Sequence, residues 1–198
     1  MGPLELRPHA AVSVVKANER TPMGASSTGI AETLGPILPP EIIRAAAALL
    51  EKASAAKLSI ATAESCTGGM LSALLTDIEG ESHAFERGFV AYSDRAKCEL
   101  LGIADAIIER CGAVSREVAE AMAASALTQS GADVTMAITG FAGPGAPDEE
   151  PGLVHFACTR LGYPVAHEEH HFGDIGRGPT RIACLAVAIA MLDRAIGG

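Results

Sequence analysis

Within the first half of the chain, Ala63-Glu64-Ser65-Cys66-Thr67-Gly68-Gly69 ends in five residues that hold two hydroxyls, a thiol and two glycines. An apolar run, Leu58 to Ala63, precedes the stretch, and Met70 to Leu75 continues it in a helical pattern. A strand that turns into a helix leaves the helix's first backbone N–H groups unpaired, and glycines let a ligand come close to them. Such donors hold a phosphate, or the oxyanion formed when a hydroxyl attacks a carbonyl. Ser65 is therefore a candidate for attack, and Cys66, Thr67, Gly68 and Gly69 are candidates for binding. The same residues also make an ordinary capping turn, and spacing alone leaves both readings open. The phosphate-loop G-x-x-x-x-G-K, a G-x-G-x-x-G at a strand end and the G-x-S-x-G elbow are all missing, which removes the P-loop, dinucleotide and α/β-hydrolase readings.

Two other stretches carry possible chemistry. Tyr92-Ser93-Asp94-Arg95-Ala96-Lys97 leads from an apolar run, Gly88 to Tyr92, into a helix that Ser93 or Asp94 can cap. A lone lysine on a helix is ordinarily solvated. Lys97 gains meaning only if the fold carries it beside Ser65, because serine needs a base and a desolvated neutral amine can be one. The third stretch, Thr139-Gly140-Phe141-Ala142-Gly143-Pro144-Gly145, follows the run Val134 to Ile138. It puts Thr139, Gly140 and Gly143 where open α/β sheets bind ligands, beyond the carboxyl end of a strand, although loops of this composition are common.

One literal motif match is set aside. His167-Glu168-Glu169-His170-His171 reads H-E-x-x-H, but Pro164 and Gly173 bracket a segment too short for a good helix. As a strand it would hold positions 167 and 171 on one face roughly 13 Å apart, too far for one zinc. No metal and no cofactor is expected.

These stretches need a scaffold. Helical patterns run from Glu41 to about Ala56, from Ile103 to Arg110, from a Ser115 cap to Thr128, and through the apolar stripe Ile182, Leu185, Ile189, Leu192 and Ile196. Leu153 to Cys158 and Val165 to Phe172 read as two more strands joined by a turn. Helices and short strands alternate, which predicts an α/β domain with a mixed sheet covered on both faces. The domain is expected over residues 39–198. Residues 1–38, rich in Ser, Thr, Gly and Pro apart from a short possible strand at Ala10 to Val15, read as a loosely packed extension.

Composition narrows the functional classes. The 198 residues are 48% hydrophobic and only 4% aromatic, without Trp, so small aliphatic side chains must fill the core. A net charge of −9 and no basic patch argue against nucleic acid as a partner. Cysteines at 66, 98, 111, 158 and 184 form no C-x-x-C pair and read as reduced thiols of a cytoplasmic protein. The Ala-rich C-terminal segment carries Arg181, Asp193 and Arg194, so it is expected to face a core and not to cross a membrane.

Laid side by side, these motifs resemble the CinA C-terminal family, the stand-alone nicotinamide-mononucleotide deamidases. The match rests on Ala63 to Gly69, Arg87-Gly88-Phe89-Val90-Ala91-Tyr92-Ser93 with Lys97, Leu100-Leu101-Gly102, Gly112-Ala113-Val114-Ser115, and Thr139 to Gly145, in that order between about Leu58 and Leu192. The resemblance implies a three-layer α/β/α fold with a mixed, mostly parallel five-stranded sheet. It also implies metal-free hydrolysis of the carboxamide of nicotinamide mononucleotide to the acid and ammonia. By the same resemblance Ser65 is the nucleophile, Lys97 the general base and Tyr92 supplies an assisting hydroxyl. Family members carry Gly-Asp-Arg before the last helix and a second arginine four residues on. Here the segment is Gly173-Asp174-Ile175-Gly176-Arg177-Gly178-Pro179-Thr180-Arg181, so a two-residue insertion puts Arg177 and Arg181 in those places. Where the family has Lys-Pro-Val-Gly this chain has Glu150-Pro151-Gly152, a carboxylate that either weakens capture of an anion or sits on a solvated tip. The expected partner is a small pyridine mononucleotide, and the default assembly is a homodimer. The alternatives are a serine–lysine amidase for another small amide and a catalytically silent nucleotide- or partner-binding module.

Overall fold

The computed structural model describes residues 34, 35, 37–144, 147 and 149–197. The possible strand at 10–15, most of the 1–38 extension and Gly145 lie outside them. At the extension's end, Leu38 is buried and the Leu34 N–H donates to the Asp77 carboxylate, so these last residues pack on the domain.

Among the described residues, five strands and six α-helices follow in the order α1 (Pro40–Ala56), β1 (Ile60–Glu64), α2 (Met70–Asp77), β2 (Phe85–Val90), α3 (Asp94–Leu101), α4 (Asp105–Cys111), α5 (Arg116–Ser130), β3 (Val134–Gly140), β4 (Leu153–Arg160), β5 (Ala166–His171) and α6 (Arg177–Gly197). The sheet order is β2-β1-β3-β4-β5. β1 pairs in parallel with β2 and β3, while β4 pairs antiparallel with β3 and β5. The sheet is mixed as expected: β4 alone runs against the other strands, yet the pairings divide evenly between parallel and antiparallel.

Helices cover both faces in a three-layer α/β/α arrangement. On one face Leu50, Leu74 and Leu185 of α1, α2 and α6 meet Ile60, Met136 and Phe156 of the sheet. On the other, Val118, Met122 and Ala126 of α5 pack on Ala63, Ala137 and Ala157. Those strand alanines leave room for the α5 backbone to approach, which is how a core with few aromatics closes.

Local chemistry sets the element boundaries. Ser93 and Ser115 cap α3 and α5 by accepting from the N–H groups of Ala96 and Val118. β2 begins at Phe85, three residues before the expected Gly88. Its Glu86 and Arg87 are exposed on the sheet edge, so they carry no apolar signal. Gly88 is required by its surroundings, since a Cβ there would meet Ser72 Oγ at 2.3 Å.

The chain leaves β1 for β2 on one side and returns, through α3, α4 and α5, to β3 on the other. Connections that diverge in this way open a crevice at the carboxyl ends of the strands.

Candidate active site

The turn after β1 is built from behind. Gly69 precedes α2 in the left-handed region with φ of 90° and offers no side-chain cap. Glu64, at the end of β1 and fully buried, caps the helix instead. Its carboxylate accepts from the N–H groups of Leu71 (3.0 Å) and Ser72 (2.8 Å) and from Ser72 Oγ (2.6 Å). The N–H groups of Leu71 and Ser72 are thus spent on Glu64, that of Met70 goes to the Thr67 carbonyl at 3.3 Å, and the Gly68 N–H closes the turn on the Ser65 carbonyl at 3.1 Å. Among the described residues, the N–H groups of Cys66 and Thr67 bond to no backbone carbonyl, and the buried Thr67 hydroxyl has no hydrogen-bond partner. Gly68, with φ of 64°, adopts a backbone that other residues resist.

The parallel register of β1 and β2, with Glu64 opposite Val90, sets the two following loops side by side. α3 therefore starts next to Ser65 and points Lys97 at it. Lys97 Nζ donates to Ser65 Oγ and to the Tyr92 carbonyl, each at 3.3 Å, and lies 3.9 Å from Asp94 Oδ1. Lys97 is 1% exposed and, with Phe156, among the largest of the fully buried side chains in the described residues. Burial pushes its pKa below the ordinary 10.5, with Asp94 and then the cysteines 66 and 98 pulling the other way. A buried amine biased towards neutrality beside a serine hydroxyl can take its proton.

Ser65 and Lys97 open into a cavity of about 340 Å³, a size that suits a small metabolite. Tyr92, Thr139, Gly140, Gly143 and Arg177 line it, as does Cys66. Tyr92 is 63% exposed, and its hydrogen bond with Lys97 is made by its carbonyl. Thr139 Oγ1 donates to the Ala113 carbonyl at 2.8 Å, tying the Gly112 to Ser115 segment to the end of β3. Arg177 packs over Gly143, where a Cβ would come within 3.6 Å of its guanidinium nitrogens.

Four expected binding residues do not line the cavity: Thr67, Gly68, Gly69 and Arg181. One turn further along α6 than Arg177, Arg181 donates from Nε to the Cys66 carbonyl at 2.8 Å and lies over Gly68. Arg177 thus faces the cavity while Arg181 braces the turn. Glu150 is also turned elsewhere, since its carboxylate meets His171 Nδ1 at 2.7 Å. Its neighbour Glu149 lines the cavity, with Asp94 and Phe141. Sequence reasoning missed these three. Asp94 had a signal in its place one helical turn before Lys97.

Cys66 is the rival to Ser65. A hydrogen bond from the Cys184 thiol pulls its pKa below 9.0; burial opposes this, Arg181 adds to it, and Glu64 opposes it weakly. Cys184 is pushed up in turn, first by the same bond and then by burial.

Residues 43–196 match the family described as the CinA C-terminal domain. The chain belongs to the CinA C-terminal domain family. A CinA-like protein of Mycolicibacterium vanbaalenii is 49% identical over 143 residues, which are 71% of this chain and 33% of that protein. A CinA-like protein of Akkermansia muciniphila is 47% identical over 128 residues, 61% of this chain and 31% of the other. The chain thus spans about a third of the length of these curated relatives. Among solved structures, the competence/damage inducible protein CihA of Agrobacterium tumefaciens superposes with a TM-score of 0.78 at 39% identity, covering 82% of this chain and 99% of that one. A CinA superfamily protein of Escherichia coli gives 0.73 at 33% identity, covering 79% and 93%.

Two structural facts bound the chemistry. No helix among the described residues is long and apolar enough to cross a membrane. The H-E-x-x-H match lies on strand β5, and among the described residues no group of three His, Cys, Asp or Glu is placed to hold a metal ion.

Proposed function

We propose that this CinA domain hydrolyses the carboxamide of nicotinamide mononucleotide to the acid and ammonia, with Ser65 as nucleophile and Lys97 as base. The observation that carries the reading is the 3.3 Å hydrogen bond between a buried lysine and a serine on one cavity wall. In its neutral form Lys97 takes the Ser65 proton as Oγ attacks the amide carbon. The carbonyl electrons move onto oxygen, and the N–H groups of Cys66 and Thr67, which bond to no backbone carbonyl, are the backbone donors we assign to it. The lysine ammonium then protonates the amide nitrogen, the C–N bond breaks and ammonia leaves an acyl-serine. Water gives a proton to Lys97 and attacks the ester, and Ser65 recovers its proton as the acid departs. Arg177 suits the substrate phosphate as a charge-assisted donor, and the Tyr92 ring stands at the rim where the pyridine would enter.

Two other readings have an observation in their favour. The lowered Cys66 thiol lines the same cavity and would make the enzyme a thiol amidase. The relatives' names speak of competence and damage, which would suit a binding module without turnover. Ammonia release from nicotinamide mononucleotide, nicotinamide riboside and free nicotinamide separates the classes. We expect turnover of the mononucleotide well above that of the other two. No ammonia from any of them would point to the silent module, and equal rates would point to a general amidase without phosphate recognition.

A further inference from the structure

Lys97 stands between two influences of opposite sign. It is almost fully buried, which favours the neutral amine, yet a carboxylate oxygen of Asp94 lies 3.9 Å from its Nζ. Asp94 precedes it by one turn of α3, and its own side chain is 63% exposed at the mouth of the cavity. Helix capping does not account for the residue, because Ser93 accepts from the Ala96 N–H and does that work. We propose that Asp94 is a positioning residue that fixes the aim and the ionisation of Lys97, and with them the lower pH limit of the reaction. The proposal rests on the serine–lysine reading above.

The groups facing Nζ can be taken element by element. From α3 come Asp94 and Cys98. The Cys98 thiol is held up to about 11 by its bond to Asp105, so it is neutral at ordinary working pH. From the turn after β1 come the Ser65 hydroxyl and Cys66, whose thiolate would add to the pull of Asp94. The link from β2 supplies the Tyr92 carbonyl, a fixed dipole. Arg177 and Glu149 bring one charge of each sign to the same cavity. Asp94 is the strongest of the groups that hold the ammonium form, second only to burial in its effect on this lysine.

The same carboxylate has opposite effects at two stages. Before attack it opposes the neutral amine that must act as base. After the Ser65 proton has moved, it stabilises the ammonium that must protonate the leaving nitrogen. Asp94→Asn therefore has a two-sided signature. The acid limb of the pH profile moves to lower pH, because less acid is needed to protonate a lysine held by a carboxylate than one without it. On the plateau turnover falls, because the ammonium has lost its partner. A role confined to stability would leave the acid limb in place.

The test pairs the pH profile of nicotinamide mononucleotide turnover with direct titration of Lys97. Lysines stand only at 16, 52, 57 and 97, so a spectrum of ¹³C-labelled lysine Cε groups holds four signals, and Lys97→Met assigns the one of interest. In Asp94→Asn we expect Lys97 to titrate at lower pH than in the wild type. The mutant-to-wild-type rate ratio should rise by roughly threefold or more from plateau to acid limb, a modest figure because Asp94 is open to solvent. Added salt should shrink the difference, and Asp94→Glu should restore the wild-type titration. An unchanged Lys97 titration in Asp94→Asn overturns the proposal. If the titration moves while the acid limb does not, Asp94 keeps its hold on Lys97 and the serine–lysine reading is what fails.

Discussion

At the carboxyl ends of β1 and β2, a lysine and a serine are buried with few partners. At the far edge of the same sheet, β5 and its neighbours carry more ionisable groups, and nearly all of them are spent on one another. His155 Nδ1 meets His167 Nε2 at 3.1 Å, His171 bridges Glu150 and Glu169 at 2.7 and 2.9 Å, and His170 meets Glu168, which also pairs with Arg194. One cluster keeps polar groups in reserve beside a cavity. The other closes its hydrogen bonds internally along an edge strand. Histidine-rich composition marks the second region in the sequence, but spare bonding capacity marks the first as the place for chemistry.

The comparison is open to breaking at several points, and the largest effect belongs to the first region. Lys97→Met should lower turnover by roughly 10³-fold or more, and the double variant with Ser65→Ala should be little worse than either single, because nucleophile and base act as a unit. Additive losses would separate the two residues. Next comes Arg177→Ala, which should raise KM by about 10- to 150-fold, the range for losing a hydrogen bond to a charged group. Arg181→Ala should instead lower kcat and the melting temperature, since its contact is with the Cys66 carbonyl. A pure KM effect at Arg181 would show that it reaches substrate.

In the second region the expected effects fall on stability. Burial first, with His167 beside it, holds the His155 pKa below the ordinary 6.5, and Glu169 opposes this. The unfolded chain then binds more protons than the folded one, so this group's share of stability is present above about 6.5 and is lost as pH falls. His171 has the opposite sign: Glu150 and then Glu169 raise its pKa, so its share is present below 6.5 and fades as pH rises through the folded value. Melting curves between pH 5 and 8 should show His155→Asn flattening the acid-side loss, with turnover of nicotinamide mononucleotide near wild type. A collapse in turnover would mean that the two regions are coupled. The smallest expected effect is none: prolonged EDTA treatment should leave activity unchanged, and loss restored by zinc would give β5 a role denied to it here.

Much of this is legible in the sequence alone. The capping serines, the buried stripe of α6 and the reading of His167 to His171 as strand follow from local pattern. The turn at Ser65 was legible because it joins small hydroxyl residues and glycines between a strand and a helix. Its pairing with Lys97, 32 residues away, came only from the family resemblance and not from local pattern, because it depends on the β1–β2 register. Asp94 was visible only as one of two possible caps; once Ser93 caps α3, its carboxylate is left for Lys97. The division between Arg177 and Arg181 needed the helix itself, which puts one against the cavity and the other one turn along, against the turn. Glu64 reads in the sequence as the first residue of the turn, and only the fold shows it as the buried end of β1 and the cap of α2.

The central claim is that Ser65, and not the thiol beside it, attacks the amide. Turnover of nicotinamide mononucleotide by Ser65→Ala and Cys66→Ser, with binding followed by calorimetry, tests it most directly. The account predicts that Ser65→Ala binds the mononucleotide but loses roughly 10³-fold or more in turnover, while Cys66→Ser stays within about tenfold of wild type. An active Ser65→Ala beside a dead Cys66→Ser would contradict it.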